Sequence, residues 1–193
     1  MSVLIALKKD GIVYMGGDSE VFKKGLIASR TNRIWEVPKS GGLLIGCIGS
    51  LGVISSLKNQ KLFDNSFFSD EIFNFDFART TLNFRIRNHI KNSAIDDENY
   101  YEYDDGTIDI GASFFAAKDD CLCYISSIGE VFEIDDFCVI GQGANQAYEC
   151  LLSTASVEDP MERIKKALQA SGSISYPAVI RNSLNKAEII IYE

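Results

Sequence analysis

Apolar residues in this chain fall into short runs set off by turn residues, and the spacing within each run predicts its element. Residues 3–7 and 12–15 are apolar and flank Lys9-Asp10-Gly11. Asp-Gly between two β-rich runs is a strong local signal for a two-residue hairpin. The second run ends in Gly16-Gly17-Asp18-Ser19, which stops the strand and presents a carboxylate. Such a hairpin carries residue 2, at the start of one strand, back towards Asp18 at the end of the other.

A polar turn is expected after Ser19, then short strands at 25–29 and 33–37, a turn at 38–42 and an apolar strand at 43–48. Gly49-Ser50-Leu51-Gly52 follows, and 53–57 has helical spacing. A strand running through glycine into a helix leaves backbone N–H groups at the helix start, where an oxyanion is favoured. The longest predicted helix covers 70–92, with Phe73, Phe77, Thr81 and Phe84 at i, i+4, i+8 and i+11, extended by Ile86 and Ile90. Its Arg85, Arg87, His89 and Lys91 read as a solvated face. Residues 96–109 are acidic and tyrosine-containing without calcium-loop spacing, so they read as a surface loop.

Strands are then expected at 110–117, 122–126, 130–134 and 137–140. Helices follow at 145–155, after Gly141-Gln142-Gly143, and at 160–170, where Asp159 is the N-cap and Pro160 the first helical residue. Strands at 176–180 and 187–192 end the sequence. The order is strands, two helices, strands, two helices, strands. It implies an α+β chain, one domain over 1–193, with helices outside two largely antiparallel sheets in a four-layer αββα sandwich.

Charge and composition narrow the chemistry. A net charge of −8 disfavours general nucleic-acid binding, which needs clustered Lys and Arg to replace phosphate counterions. No signal peptide and no apolar run long enough for a membrane span is expected. The five cysteines, Cys47, Cys121, Cys123, Cys138 and Cys150, read as reduced thiols, mostly in the core. Cys121-Leu-Cys123 lacks the second pair or histidine that a metal site requires. The single histidine, His89, lies in the long helix, so a Ser-His-Asp triad would have to be built around it.

Ser2-Val-Leu-Ile-Ala-Leu-Lys-Lys-Asp-Gly-Ile-Val-Tyr-Met-Gly-Gly-Asp18 resembles the opening of proteasome β-subunits, and more so that of bacterial and phage proteasome-like ring peptidases. The resemblance continues through Ser29-Arg-Thr-Asn-Arg-Ile-Trp35, Ile45-Gly-Cys-Ile-Gly-Ser50 and Val139-Ile-Gly-Gln-Gly-Ala-Asn-Gln-Ala-Tyr148. It implies an N-terminal-nucleophile (Ntn) hydrolase, in which the hydroxyl of the first mature residue attacks a peptide carbonyl. Its own α-amine takes the proton, and an amine with a pKa of about 7.7–8.0 is a base poised near neutrality.

Carried over to this chain, the resemblance makes Ser2 the nucleophile once Met1 is removed, and Asp18 the supporting carboxylate. Arg33 stands where the family has lysine, and arginine keeps its charge and relays no proton. The N–H of Gly49 matches the oxyanion donor. Cys47 would floor the specificity pocket, with Ser50 on the substrate side. Gln142 replaces the serine of the family's Gly-Ser-Gly turn, and residues 171–175 offer no clear match for a further aspartate. No cofactor or metal is implied. The expected partners are peptide or unfolded protein, further copies in a ring and an ATP-dependent unfoldase, all in the cytoplasm. The alternative is an inactive proteasome-fold scaffold subunit.

Overall fold

The computed structural model describes residues 2–18, 20–23, 26–30, 32–38, 40–58, 72–93, 100–172, 178–183 and 186–191. Expectations for Met1, Ser19, and residues 25, 70–71, 96–99, 173–177 and 192 lie outside the described residues.

The predicted hairpin forms from β1 (Val3–Lys9) and β2 (Ile12–Gly17), paired antiparallel from Leu4–Gly17 to Lys9–Ile12. Asp10 and Gly11 both take positive φ, 53° and 73°, the left-handed pair that a tight type I′ turn demands. Further along come β3 (Glu20–Lys23), β4 (Leu26–Arg30), β5 (Ile34–Glu36) and β6 (Leu44–Gly49). The expected polar turn after Ser19 is therefore corrected: β3 pairs with β4 in a two-stranded sheet of its own, since backbone pairing does not depend on apolar side chains.

Helix α1 (Leu51–Lys58) follows β6. The long helix begins later than expected, at α2 (Phe75–Phe77), where the Asn74 side chain accepts from the Phe77 N–H. It continues through a π-helical turn (Ala78–Leu82) into α3 (Asn83–Asn92). The wider turn advances the buried stripe, so Leu82, Ile86 and Ile90 face the core while Phe84 is 63% exposed. Phe84 is thus corrected from core to surface. Within the acidic stretch, β7 (Tyr101–Glu102) and β8 (Ile108–Asp109) form a small hairpin rather than a plain loop.

The remaining elements are β9 (Ala112–Lys118), β10 (Cys121–Ile125), β11 (Val131–Glu133), β12 (Phe137–Gly141), α4 (Ala144–Ser153), α5 (Pro160–Ala170), β13 (Ala178–Ser183) and β14 (Lys186–Ile191). One five-stranded sheet runs β12-β1-β2-β13-β14 and a second runs β11-β10-β9-β6-β5, both antiparallel throughout.

Alternation along each central strand divides its residues between two cores, which is why these strands read as unbroken apolar runs. Val3, Ile5 and Leu7 of β1 pack with Leu151, Ile164 and Leu168 of α4 and α5. Leu4 and Ala6 join Leu44, Ile48, Phe115 and Leu122 of the second sheet. On that sheet's other face, Ile45, Cys47, Phe114 and Cys123 pack against Val53, Leu57, Leu82 and Ile86. Fully burying side chains of this size stabilises by about 1.5–3 kcal/mol each. Among the described residues, no helix is long and apolar enough to cross a membrane.

Candidate functional site

The end of β2, the start of β1 and the residue ahead of β5 meet at one end of the strands of the two sheets. Asp18 is 2% exposed, and its Oδ1 accepts from the Val3 N–H at 2.9 Å. Arg33, 4% exposed, lays its Nε between the Asp18 carbonyl oxygen at 3.0 Å and Oδ1 at 3.3 Å. The same guanidinium donates from Nη2 to Ser2 Oγ at 2.9 Å. Ser2, Asp18 and Arg33, separated by up to 31 positions, are therefore one hydrogen-bonded unit. A buried cation resting on a hydroxyl favours that oxygen's anionic form, while the carboxylate behind keeps the cation in place.

Ser2 is fixed from the opposite side as well. Its carbonyl accepts from the Gln142 N–H at 2.8 Å. Gly141 has φ +110°, and a Cβ there would lie 2.3 Å from the Ser2 carbonyl oxygen, so only glycine lets β12 come this close.

Gly49, the last residue of β6, has φ +127°. A Cβ at that position would meet the Gly111 carbonyl oxygen at 2.3 Å and Ala112 Cα at 2.7 Å. Ser50 follows, donating its N–H to that same Gly111 oxygen at 2.9 Å and accepting at Oγ from Val53 N at 3.5 Å as it opens α1. Between Gly49 and Gly141 lies an open groove of about 490 Å³, whose walls include Ile48, Asp109, Tyr124, Ser127 and Ile140. Its lining is mixed, with Asp109, Ser113 and Ser127 beside the apolar side chains, and it borders Ser2 through Gly141.

Cys47 lies elsewhere. It is fully buried on the helix-facing side of β6 and does not line this groove. Burial pushes its thiol far up, against the lowering pull of Arg33 and Lys58. Lys58, at the end of α1, donates to the Asn32 carbonyl and sits 5.3 Å over the Trp35 ring. Burial lowers its pKa, with Cys47 opposing and Arg33 adding. Cys121 and Cys123 face each other at 3.8 Å in the same core.

Two basic residues expected on a solvated face are built into the structure, which corrects that reading. His89 Nε2 is 2.8 Å from Ser56 Oγ, linking α3 to α1, so the chain's single imidazole is engaged away from Ser2. Arg87 donates to the carbonyls of Ser127, at 3.0 Å, and Ile108. Gly129 is the sequence signal that was available for this contact. Gly129 has φ +93°, which favours glycine, and a Cβ there would crowd Arg87 Nη1 at 3.0 Å, so the bare turn lets the guanidinium lie across it.

With two sheets, their helices and this site in view, the class of fold can be stated: it is a proteasome-like, mixed α/β fold. Solved structures that share it include two of Thiobacillus denitrificans BPH, a bacterial proteasome-like protein. One is 14% identical, with a TM-score of 0.72 over 94% of this chain and 98% of that one. The other, in complex with epoxomicin, is 12% identical, with a TM-score of 0.72 over 95% of this chain and all of that one. At such identities the likeness is one of fold. No family model matches the sequence. No curated protein matches it either.

Proposed function

We propose that this chain is a proteasome-like peptide hydrolase of the Ntn class, with Ser2 as nucleophile once Met1 is removed. The observation that carries the reading is the contact of Arg33 Nη2 with Ser2 Oγ at 2.9 Å, backed by buried Asp18. The three apolar clusters, one between the sheets and one under each helix pair, support a single domain of four-layer αββα build.

In the reaction, Ser2 Oγ attacks the scissile carbonyl carbon as its proton passes to the free α-amine of residue 2. Arginine cannot take that proton, so the amine is the base and Arg33 acts electrostatically. The carbonyl oxygen becomes an oxyanion received by the Gly49 N–H, a donor of a kind worth about 10²–10³ in rate. The ammonium returns its proton to the leaving amine, and the C–N bond breaks. Water, deprotonated by the same amine, then attacks the acyl ester and frees Ser2. Asp18 holds Arg33, Ser50 secures the corner after Gly49, and the groove beside Gly141 takes an extended stretch of substrate. Cys47 acts from beneath, as packing under β6.

We further propose that the chain works as a homo-oligomeric ring in the cytoplasm, fed with unfolded protein by an ATP-dependent unfoldase. A second reading, an inactive scaffold subunit, draws on Arg33 standing where the family has a proton-carrying lysine. Turnover of fluorogenic peptides by wild type and Ser2→Ala separates the two. The hydrolase reading predicts activity in wild type that falls at least a thousandfold in a folded Ser2→Ala. Equal turnover in both removes Ser2 from the reaction, and none in a wild type lacking Met1 favours the scaffold.

A further inference from the structure

Helix α3 reaches the Gly49 corner through backbone that lies far from Ser2 in sequence. The Ser127 carbonyl is a shared acceptor, taking Arg87 Nη1 at 3.0 Å and the Ile110 N–H at 3.1 Å. Arg87 also holds the Ile108 carbonyl, and Asn83 Nδ2 donates to the Gly129 carbonyl at 2.9 Å. Residues 108–110 and 127–129 are thus pinned to one helix face.

The next residue along, Gly111, is held in turn. Its N–H bonds Asp109 Oδ1 at 2.8 Å, and its carbonyl takes the Ser50 N–H at 2.9 Å. That carbonyl also occupies the space a Cβ at position 49 would need. From the other side, α3 fixes the helix that follows Gly49 through His89 and Ser56. Gly49 therefore sits between two supports that both originate on α3.

We propose that Arg87 is a positioning residue for the Gly49 oxyanion corner: by fixing residues 108–110 it fixes Gly111, and Gly111 fixes Ser50 and the direction of the preceding N–H. This rests on the Ser2 hydrolase reading for its kinetic consequence, whereas its structural consequence stands apart from that reading. The side chain suits the role. Two donors of one rigid guanidinium serve two carbonyls at once, a geometry that a lysine ammonium does not reproduce. A donor aimed at the oxyanion acts in the transition state, so its displacement lowers kcat more than it raises KM.

The test compares wild type, Arg87→Gln, Arg87→Lys and Asn83→Ala by amide hydrogen exchange at Ser50 and by peptide hydrolysis. Arg79→Gln serves as control, because Arg79 meets Asp76 on the exposed side of the helix. Expected are a tenfold or greater loss of Ser50 amide protection in Arg87→Gln, unchanged protection in the β1–β2 hairpin, and a tenfold or greater fall in kcat with KM within about threefold. Arg87→Lys should fall between, and Arg79→Gln should match wild type. Unchanged Ser50 protection in a folded Arg87→Gln overturns the proposal, as does a uniform loss across both sheets. If Arg87→Gln does not fold, the milder Arg87→Lys and Asn83→Ala decide by the same exchange pattern. A wild type without turnover overturns the hydrolase reading, while exchange at Ser50 still decides the positioning role.

Discussion

Replacing Arg33 by methionine removes the cation between Asp18 and Ser2 while keeping much of its volume. The two side chains are 3% and 1% exposed, so water cannot take the cation's place without local opening of the structure. Asp18 would retain the Val3 N–H at 2.9 Å but lose its guanidinium. Breaking a buried ion pair by removing one partner costs about 3–5 kcal/mol, because a charge is left uncompensated. Urea unfolding with an m-value of about 1–3 kcal/mol/M turns that loss into a midpoint shift of more than about 1 M. Asp18→Asn keeps an acceptor for Val3 and removes the carboxylate charge opposite the guanidinium, with a similar loss. In the double variant neither charge remains, so the two losses should fail to add by about 2 kcal/mol or more. A loss under about 1 kcal/mol in Arg33→Met, or additivity within about 0.5 kcal/mol, would refute the claim that the pair is a desolvated unit.

Gly49→Ala combines a φ of +127° with a Cβ 2.3 Å from the Gly111 oxygen, so it should cost about 1–3 kcal/mol of stability and most of the turnover; thermal unfolding and peptide assays check it, and a neutral result contradicts the geometry. Asp159→Ala removes the side chain that receives Met161 N–H at 2.9 Å and should cost about 0.5–2 kcal/mol, read as a lower Tm with unchanged kcat. Burial raises the Cys47 thiol in the folded state, so its contribution to stability is intact below the unfolded value of about 8.5 and lost as pH rises beyond it. Cys47→Ala should therefore flatten the alkaline decline by about 1.4 kcal/mol per pH unit; an unchanged slope between pH 9 and 10 would show that Cys47 is not the group responsible.

The strands were legible because β1, β6, β9 and β10 are apolar on both faces, and Asp10-Gly11 and Asp159-Pro160 are local signals that need no tertiary context. The π turn at Ala78–Leu82 was not legible, since a one-residue change of pitch leaves no mark in composition yet moves Phe84 to the surface. Arg87 and His89 looked solvated for the related reason that their partners are carbonyls and a serine hydroxyl 21 to 40 positions away. At the site, Asp18 and Arg33 could be paired through the resemblance of residues 2–18 and 29–35 to proteasome subunits. The groove could not be drawn from sequence, because Ile48, Asp109, Ser127 and Ile140 converge from four separate segments.

The central claim is tested most directly by the intact mass of the protein made in its own host, before and after exposure to an electrophilic probe for N-terminal nucleophiles, followed by peptide mapping. The account predicts a chain lacking Met1 that gains one equivalent of the compound on Ser2, with the gain abolished in Ser2→Ala. A chain that keeps Met1 and gains no mass, or one modified at another residue, would contradict it.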